Sequence, residues 1–353
     1  MVHNFSAGPS ILPDEVFTDS ASAIKNFDNT GLSILEISHR SKEFISVMSE
    51  AQKLTLEIAG LNNNDYSCLF LQGGASLQFL MVAYNFLNNK AGYINTGSWS
   101  SKAMKEALLF GEVTEIASSK DSNFNYIPKD YSITDKFDYI HVTSNNTIYG
   151  TQFKSFPKTD LPLFADMSSD IFSRKIDFSS FDLIYAGAQK NLGPAGVTLV
   201  IIKNNLLEKV KRKVPSMLNY RLHIEQESSF NTPPVFPIYC VLLNLRLIKS
   251  KGLKLIERNN IEKSNLIYNE IDRNSCFKGF SSLDDRSAMN ATFNLIEGYD
   301  GDLFNKICKE NNISGINGHR SVGGYRASIY NALKIKSVET LVSCMQEFES
   351  KSK

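Results

Sequence analysis

The stretch DLIYAGAQKNLGPAG, Asp182–Gly196, decides the fold. An apolar strand ends at Tyr185, and small residues lead from it to Gln189 and Lys190. A lysine at the end of a strand, among small residues, has room for a bulky group on its amine. Partial burial would lower the pKa of this amine and make it a nucleophile. The alternative is an ordinary surface lysine on a loop, but polar residues at the ends of other predicted strands favour the nucleophile.

Strand-like and helix-like segments alternate on both sides of this stretch. The predicted strands are Ser67–Leu71, Ala91–Asn95, Glu112–Ala117, Tyr139–Thr143, Pro162–Ala165, Leu183–Tyr185 and Val197–Ile202, and the predicted helices include Lys42–Ala59, Ser76–Leu87 and Lys102–Phe110. This alternation is typical of an α/β fold, with a mostly parallel sheet between helices. The connection Ala186–Gly196 is too short for a helical crossover, so the last two strands should run antiparallel.

The pattern changes towards the C-terminus. A long helical region covers about residues 238–269 and is interrupted near Gly252. The elements predicted beyond it are the strands Thr292–Leu295 and Tyr325–Ile329 and the helices Leu303–Glu310 and Val338–Glu349. This mixture indicates a second, smaller α+β domain, and 353 residues at roughly 150 per domain also favour two domains. We expect residues 13–258 to form the large domain, and residues 1–12 and 259–353 the small one.

Composition excludes several classes of protein. With 42% hydrophobic and 21% charged residues, the chain can build a sizeable core. The 38 Lys and Arg residues balance 37 Asp and Glu residues, so a dedicated nucleic-acid binder is disfavoured. No apolar run approaches the roughly 20 residues of a membrane span, and we expect no membrane association.

Neither the cysteines nor the histidines have zinc-type spacing, so we assign no metal. Scattered thiols and the lack of a signal-peptide pattern predict a cytoplasmic protein.

Small or acidic residues follow two further predicted strands. Asp166 follows Leu161–Ala165, at the edge where open α/β sheets bind ligands. Its carboxylate could hold a heteroaromatic nitrogen protonated. The alternative is that Asp166 only caps a helix or lies in a turn. The spacing of the sequence also does not show whether Asp166 or Asp170 would bind the ligand. Ala75 and Ser76 follow two glycines at a helix start, where backbone N–H groups could bind phosphate, although such turns commonly only redirect the chain.

Aromatic and cationic residues complete the candidate set. Trp99, the only tryptophan, could stack on an aromatic ligand or pack into the core as a helix-start residue. Thr147 lies in a run that is also typical of an ordinary polar turn. Arginine binds anions through two parallel hydrogen bonds, although most arginines serve only solubility. The cationic candidates are His39, Arg40, His319, Arg320 and Arg326.

Nine motifs occur in the same order as in a known family. They are FSAGPS (5–10), EISHRSKEF (36–44), LQGGASLQF (71–79), NTGSWS (95–100), TSNNTIYGTQF (143–153), ADMSSDI (165–171), AGAQKNLGPAGVT (186–198), FNTPP (230–234) and YRASIYNA (325–332). Together they resemble the phosphoserine aminotransferases. The resemblance implies a fold-type-I enzyme that uses pyridoxal phosphate, with a large α/β domain, a small domain and a homodimer.

The resemblance also implies a role for each candidate residue at the cofactor. Lys190 would attach the cofactor and carry a proton, Asp166 would hold the pyridine nitrogen protonated, and Trp99 would stack on the ring. The other cofactor contacts would be Thr147 at the phenolic oxygen, Ala75, Ser76 and Gln189 at the phosphate, and Asn231 and Thr232 at the same phosphate from a second subunit. Some family members have Arg where Ser76 stands, so this chain would depend more on backbone donors there.

The implied substrates are L-glutamate and 3-phosphohydroxypyruvate, which both carry two anionic groups. We assign the α-carboxylate to Arg326. The phosphate or the distal carboxylate is assigned to His39, Arg40, His319 and Arg320. Some family members also accept the phosphorylated hydroxythreonine intermediate of pyridoxine synthesis, and the sequence leaves that substrate open.

Two other functions are alternatives to a phosphoserine aminotransferase. One is another pyridoxal-phosphate enzyme of this fold, such as an aminotransferase of alanine or glyoxylate, or a cysteine desulfurase. A desulfurase needs a mobile cysteine, whereas these cysteines fall in or near predicted elements. The other is a catalytically silent binding protein, which would require the loss of Lys190 or Asp166, and both are present.

Overall fold

The computed structural model describes residues 2–352. Its helices are α1 (Asp14–Lys25), α2 (Lys42–Ala59), α3 (Gly74–Phe86), α4 (Ser98–Ala107), α5 (Tyr220–Glu225), α6 (Val235–Lys251), α7 (Leu253–Arg273), α8 (Gly301–Glu310) and α9 (Ile335–Lys351). Its strands are β1 (His3–Asn4), β2 (Tyr66–Leu71), β3 (Lys90–Asn95), β4 (Glu112–Ser118), β5 (Ile140–Thr143), β6 (Asn145–Asn146), β7 (Thr151–Gln152), β8 (Leu163–Asp166), β9 (Leu183–Gly187), β10 (Thr198–Lys203), β11 (Phe277–Gly279), β12 (Asn290–Leu295), β13 (Ile313–Ser314) and β14 (Tyr325–Ser328). None of the helices within this range is long and apolar enough to cross a membrane.

A seven-stranded sheet in the order β2-β10-β9-β8-β5-β3-β4 forms the centre of the fold. Strand β10 is antiparallel to both of its neighbours, and the other paired strands are parallel. The predicted α/β sheet and its antiparallel last pair are therefore confirmed. In the register of the sheet, Asp166 lies between Thr143 on β5 and Tyr185 on β9. The carboxyl ends of β5, β8 and β9 thus meet at one edge.

The ends of the long helices follow from local chemistry. The Ser41 side chain accepts a hydrogen bond from the Phe44 amide and begins α2, as expected of an N-cap. Gly60 ends the helix in the left-handed conformation, at φ 68°. Gly252, at φ 75°, separates α6 from α7 and confirms the predicted interruption. The bounds predicted for α2 are confirmed as well.

Helix α4 begins earlier than predicted, at Ser98 instead of Lys102. The Ser100 hydroxyl accepts hydrogen bonds from the amides of Thr96 and Gly97, each at 3.0 Å, and so satisfies donors at the helix start. Trp99 therefore lies in the first turn of a helix. The prediction was wrong because the Ser-rich start has weak helix propensity and depends on this capping contact.

A smaller unit is built around two short sheets. Strands β11, β12 and β14 form an antiparallel sheet, and β1 pairs in parallel with β13, with His3 opposite Ile313. Phe5 is fully buried in this second core, together with residues between 267 and 348. On α7, Ile256 packs in the core of the large sheet, whereas Ile267 packs in the second core. One helix therefore contributes to both cores.

Candidate active site

Lys190 lies three residues beyond β9, at the edge where β5, β8 and β9 end. Its side chain is half-buried, and its Nζ is 5.6 Å from the centroid of the Trp99 ring. Trp99 reaches this edge from the first turn of α4. The structure therefore brings the predicted nucleophile and the predicted stacking residue together.

Asp166 is the last residue of β8 and is buried near Lys190. One oxygen of its carboxylate accepts a hydrogen bond of 2.9 Å from the Ser168 amide. Burial raises the pKa of Asp166, and the charge of Lys190 opposes this shift. Burial lowers the pKa of Lys190, Asp166 opposes this second shift, and Arg326 adds to it. The site thus combines a buried carboxylate with an amine that loses its proton more easily than a free lysine.

The structure distinguishes Asp166 from Asp170, which spacing could not do. The carboxylate of Asp170 accepts hydrogen bonds from the Ser144 hydroxyl and, at 3.1 Å, from the Gln152 amide nitrogen. It also forms an ion pair of 3.5 Å with Arg174. Asp170 is therefore occupied with partners of its own, and Asp166 is the carboxylate available to a ligand.

Thr147 connects the indole to a guanidinium group. Its hydroxyl accepts a hydrogen bond of 3.3 Å from Trp99 Nε1, and its carbonyl accepts one of 3.0 Å from Arg326 Nη1. Arg326 Nε is buried and has no partner among residues 2–352. Burial lowers the pKa of Arg326. A buried donor without a partner is costly, so this guanidinium is suited to receive an anion.

A second group of cations includes His319 and Lys102. The His319 ring Nδ1 lies 2.7 Å from the Ser321 hydroxyl. Burial lowers the pKa of His319, and the charges of Arg326, Lys102 and Arg320 lower it further. Lys102, which the sequence did not single out, places its Nζ 4.5 Å from the Trp99 centroid.

The N-terminal segment packs directly on the Lys190 loop. The Ser10 amide donates to the Gln189 carbonyl at 2.9 Å, and the Ser10 hydroxyl donates to the Lys190 carbonyl at 2.5 Å. A Cβ at Gly8 would lie 3.3 Å from Lys190 Cγ. The FSAGPS motif was noticed in the sequence, but its contact with Lys190 could be found only in three dimensions.

Two polar contacts join the segment after β14 to its surroundings. The Asn331 amide donates a hydrogen bond of 3.0 Å to Asn191 Oδ1, next to Lys190. The Lys263 amine donates to the carbonyls of Ile329, at 2.9 Å, and Tyr330, at 2.6 Å. Burial lowers the pKa of Lys263 to about 7. These residues were missed because an isolated Asn or Lys in a helix or turn forms no recognisable motif.

Other predicted cofactor residues lie on elements different from that of Lys190. Ala75 and Ser76 occupy the first turn of α3, and Ser76 is exposed. Asn231 Nδ2 donates to Gln72 Oε1 at 3.0 Å, and Gln72 donates to the Thr232 carbonyl at 3.3 Å, all within one chain. The assignment of Asn231 and Thr232 to a second subunit therefore stays a prediction.

The predicted cofactor contact Gln189 is half-buried beside Lys190. His39 and Arg40 immediately precede the cap of α2, with His39 half-buried and Arg40 exposed. Within residues 2–352, no hydrogen bond, ion pair or ring contact joins these two side chains to Lys190, Trp99 or Arg326. No group of three or more His, Cys, Asp or Glu residues in the described part of the chain could hold a metal ion.

Comparison with known proteins identifies the family. The class-V aminotransferase model matches residues 2–341. The phosphoserine aminotransferase of Flavobacterium psychrophilum is 59% identical over 352 residues and covers 99% of each chain. The chain belongs to the phosphoserine aminotransferase family of class-V aminotransferases. The enzyme of this name from Bacteroides thetaiotaomicron is 56% identical, with 98% of each chain covered. The resemblance inferred from the nine motifs is confirmed.

Solved structures of this aminotransferase family share the fold. The phosphoserine aminotransferase of Bacillus circulans subsp. alkalophilus has a TM-score of 0.95 at 43% identity, with 99% of both chains covered. The enzyme of Trichomonas vaginalis, solved with pyridoxal phosphate bound, has a TM-score of 0.92 at 34% identity, with 98% of this chain and 100% of the other covered. An alanine–glyoxylate aminotransferase from Nostoc shares only the fold, with a TM-score of 0.76 at 16% identity. The predicted fold class is therefore confirmed.

Proposed function

We propose that the chain is a phosphoserine aminotransferase that uses pyridoxal phosphate. It transfers an amino group between L-glutamate and 3-phosphohydroxypyruvate and gives O-phospho-L-serine and 2-oxoglutarate. The observation that carries the proposal is the placement of Lys190 and Arg326 around Trp99 and Thr147. One is an amine with a lowered pKa, and the other is a guanidinium with an unpartnered buried nitrogen.

The residues around Lys190 fit pyridoxal phosphate. Trp99 offers a flat aromatic face near the amine, as a heteroaromatic ring requires. The buried Asp166 carboxylate lacks a full counter-charge, which a protonated pyridine nitrogen would supply. When bound, this cofactor is an electron sink that stabilises negative charge at the substrate α-carbon. Lys190 would hold the cofactor through its amine and would move the proton at the substrate α-carbon.

The cofactor's polar groups have candidate partners on several elements. The buried Thr147 hydroxyl is assigned to the phenolic oxygen. Backbone N–H groups in the first turn of α3 can bind the phosphate, because helix starts favour anions. The residues assigned to this phosphate are Ala75, Ser76 and Gln189 of one chain and Asn231 and Thr232 of the second.

Arg326 is assigned to the substrate α-carboxylate. Because the Thr147 carbonyl holds only Nη1, the Nε side of the guanidinium can donate two parallel hydrogen bonds to a carboxylate. The other end of each substrate is also anionic, because glutamate carries a distal carboxylate and the keto acid carries a phosphate. We assign that end to His39, Arg40, His319 and Arg320.

The phosphate requirement tests the proposed substrates. Turnover of 3-phosphohydroxypyruvate and of hydroxypyruvate by the holoenzyme is compared with glutamate as donor. Without the phosphate, the cations assigned to it lose a doubly charged partner, so kcat/KM should fall by at least about a hundredfold. Equal values for the two keto acids would contradict the proposal and favour an aminotransferase of small substrates, such as alanine or glyoxylate.

Borohydride reduction tests the assignment of Lys190 to the cofactor. Mass spectrometry of the reduced holoenzyme should find the cofactor's mass on the peptide that contains Lys190. Lys263 is an internal control, because it is a buried lysine whose pKa is lowered, as is that of Lys190. Labelling of Lys263, or of any lysine other than Lys190, would contradict the assignment.

We further propose a cytoplasmic homodimer in which each active site uses residues of both chains. Residues 13–258 form the large domain, and residues 1–12 and 259–353 form the small one; the two separate apolar cores support this division. The five buried free cysteines suit a reducing compartment. Pro233 and Pro234 make the segment after Asn231 extended and stiff, which suits a reach into a neighbouring subunit.

Mixing two inactive variants tests the shared site. One variant carries Lys190→Ala, and the other carries Asn231→Ala with Thr232→Ala. If the sites are shared, one site of each mixed dimer is intact, so refolding the variants together should restore activity. If Asn231 and Thr232 serve their own chain, as their contacts with Gln72 would allow, the mixture should be no more active than the separate variants.

A further inference from the structure

Lys102 is a cation of the site to which the motifs assign no role. It lies on α4, three residues after Trp99, and its Nζ is nearer to the indole centroid, at 4.5 Å, than the Nζ of Lys190, at 5.6 Å. The side chain is exposed, and no carboxylate of residues 2–352 forms an ion pair with it. A cation over an indole face is held by the negative electrostatic potential of the ring.

The charges that act on His319 together with Lys102 are positive. The pKa of His319 is lowered by burial and, in decreasing order, by the charges of Arg326, Lys102 and Arg320, so these groups share one electrostatic field. Of the two carboxylates whose charges act on Lys190, Asp170 pairs with Arg174, which leaves Asp166 as the one beside Lys190. Uncompensated like charges repel each other and favour the binding of an anion between them.

We propose that Lys102 is a further substrate-binding residue, whose ammonium pairs with the phosphate of the phosphorylated keto acid, an inference that rests on the proposed function. A phosphate carries about two negative charges and a carboxylate carries one, so a point charge such as an ammonium stabilises phosphate more strongly. Lys102 should therefore contribute more to binding the phosphorylated keto acid than to binding glutamate. Its contact with Trp99 fixes the ammonium beside the cofactor pocket.

Three variants separate this role from a general effect of charge. Lys102→Met removes the ammonium, Lys102→Arg keeps a positive charge, and Lys105→Met removes an exposed lysine of the same helix. Because Lys102 is exposed, we expect all three proteins to fold. The KM of Lys102→Met for 3-phosphohydroxypyruvate should rise about tenfold, while kcat and the KM for hydroxypyruvate should change less than twofold. Lys102→Arg should recover most of the loss, and Lys105→Met should behave as wild type.

Inorganic phosphate gives a readout that does not depend on turnover. In the proposed site the cofactor lies against Trp99, so the visible absorbance of the holoenzyme reports anion binding beside the indole. Half-maximal change should require about ten times more phosphate in Lys102→Met than in wild type or in Lys105→Met. Equal phosphate titrations of the three proteins would overturn the inference.

The kinetic outcomes distinguish this inference from the proposed function. If wild type prefers the phosphorylated keto acid and Lys102→Met prefers it equally, Lys102 does not bind the phosphate, although the proposed function stands. If kcat falls by the same factor for both keto acids, Lys102 acts only through the position of Trp99, and the inference is also overturned. If wild type does not distinguish the keto acids, the proposed function fails, whereas a phosphate titration that depends on Lys102 would still support an anion site.

Discussion

Replacing Lys263 with Met should remove a rise of stability with pH that the wild-type protein shows. The Lys263 amine is buried and donates to the carbonyls of Ile329 and Tyr330. Burial lowers its pKa from 10.5 to about 7. Between these two values the unfolded chain holds a proton on Lys263 that the folded protein lacks, so stability rises with pH.

The magnitude follows from this difference in pKa. Each pH unit inside the window is worth about 1.4 kcal/mol, so the wild-type free energy of unfolding should gain about 2.5 kcal/mol from Lys263 between pH 7.5 and pH 9.5. Below pH 7 both states are protonated, and above pH 10.5 both are neutral, so this contribution is constant outside the window. Lys263→Met also leaves the Ile329 carbonyl without its donor, at a cost of roughly 1–3 kcal/mol, whereas the Tyr330 carbonyl still accepts a hydrogen bond from the Leu333 amide. The stability of Lys263→Met relative to wild type should therefore be about 2.5 kcal/mol lower at pH 9.5 than at pH 7.5.

Urea unfolding of the holoenzyme at fixed protein concentration, followed by circular dichroism, measures this deficit. Lys254→Met is the matched control, because Lys254 is exposed on the same helix, α7. Its stability relative to wild type should not change between pH 7.5 and pH 9.5. An equal deficit of Lys263→Met at the two pH values would refute the reasoning, since Lys263 would then keep its proton in the folded protein.

Three further substitutions or treatments have defined outcomes. Gly150→Ala should destabilise the protein by about 2 kcal/mol or more in urea unfolding, because φ is 71° and a Cβ would approach a backbone oxygen to 2.9 Å. Gly298→Ala, at φ 96° in open space, should cost less, and equal costs would contradict the steric reasoning. Asp166→Asn should lower kcat by about 10²–10³ without unfolding the protein, whereas Asp170→Asn should mainly lower the unfolding midpoint; the reverse pattern would exchange their roles. Trp99 emission should be quenched in the holoenzyme and recover when the cofactor is removed, and an unchanged emission would place the indole away from the cofactor.

The inner strands of the large sheet were predictable because they are buried on both faces and their sequences are mostly apolar runs. Leu183–Tyr185 and Val197–Ile202 were both found, and their antiparallel pairing followed from the short connection between them. The short strands β1, β6, β7, β11 and β13 and the helix α5 were missed. A segment of two or three residues is too short to show a periodic pattern, and its pairing depends on distant partners.

The candidate site was predictable where a residue follows a strand. Lys190, Asp166 and Thr147 were found because each follows or ends an apolar run, and all three meet at one edge. Lys102 was missed because its predicted helix began too late to place it one turn after Trp99. The choice of Asp166 over Asp170 depends on knowing that Asp170 already has three partners. Because these partners are scattered along the chain, the sequence does not show them.

The pairing of β1 with β13 also constrains the order of events during synthesis. The N-terminal segment leaves the ribosome first, yet its partner strand, Ile313–Ser314, follows only after about 300 further residues, or roughly 15–60 s of translation. Until then Phe5 has no second core to enter, and the small unit cannot close. A nascent chain can complete the large sheet early, but β13 must be synthesised before β1 can pair with it.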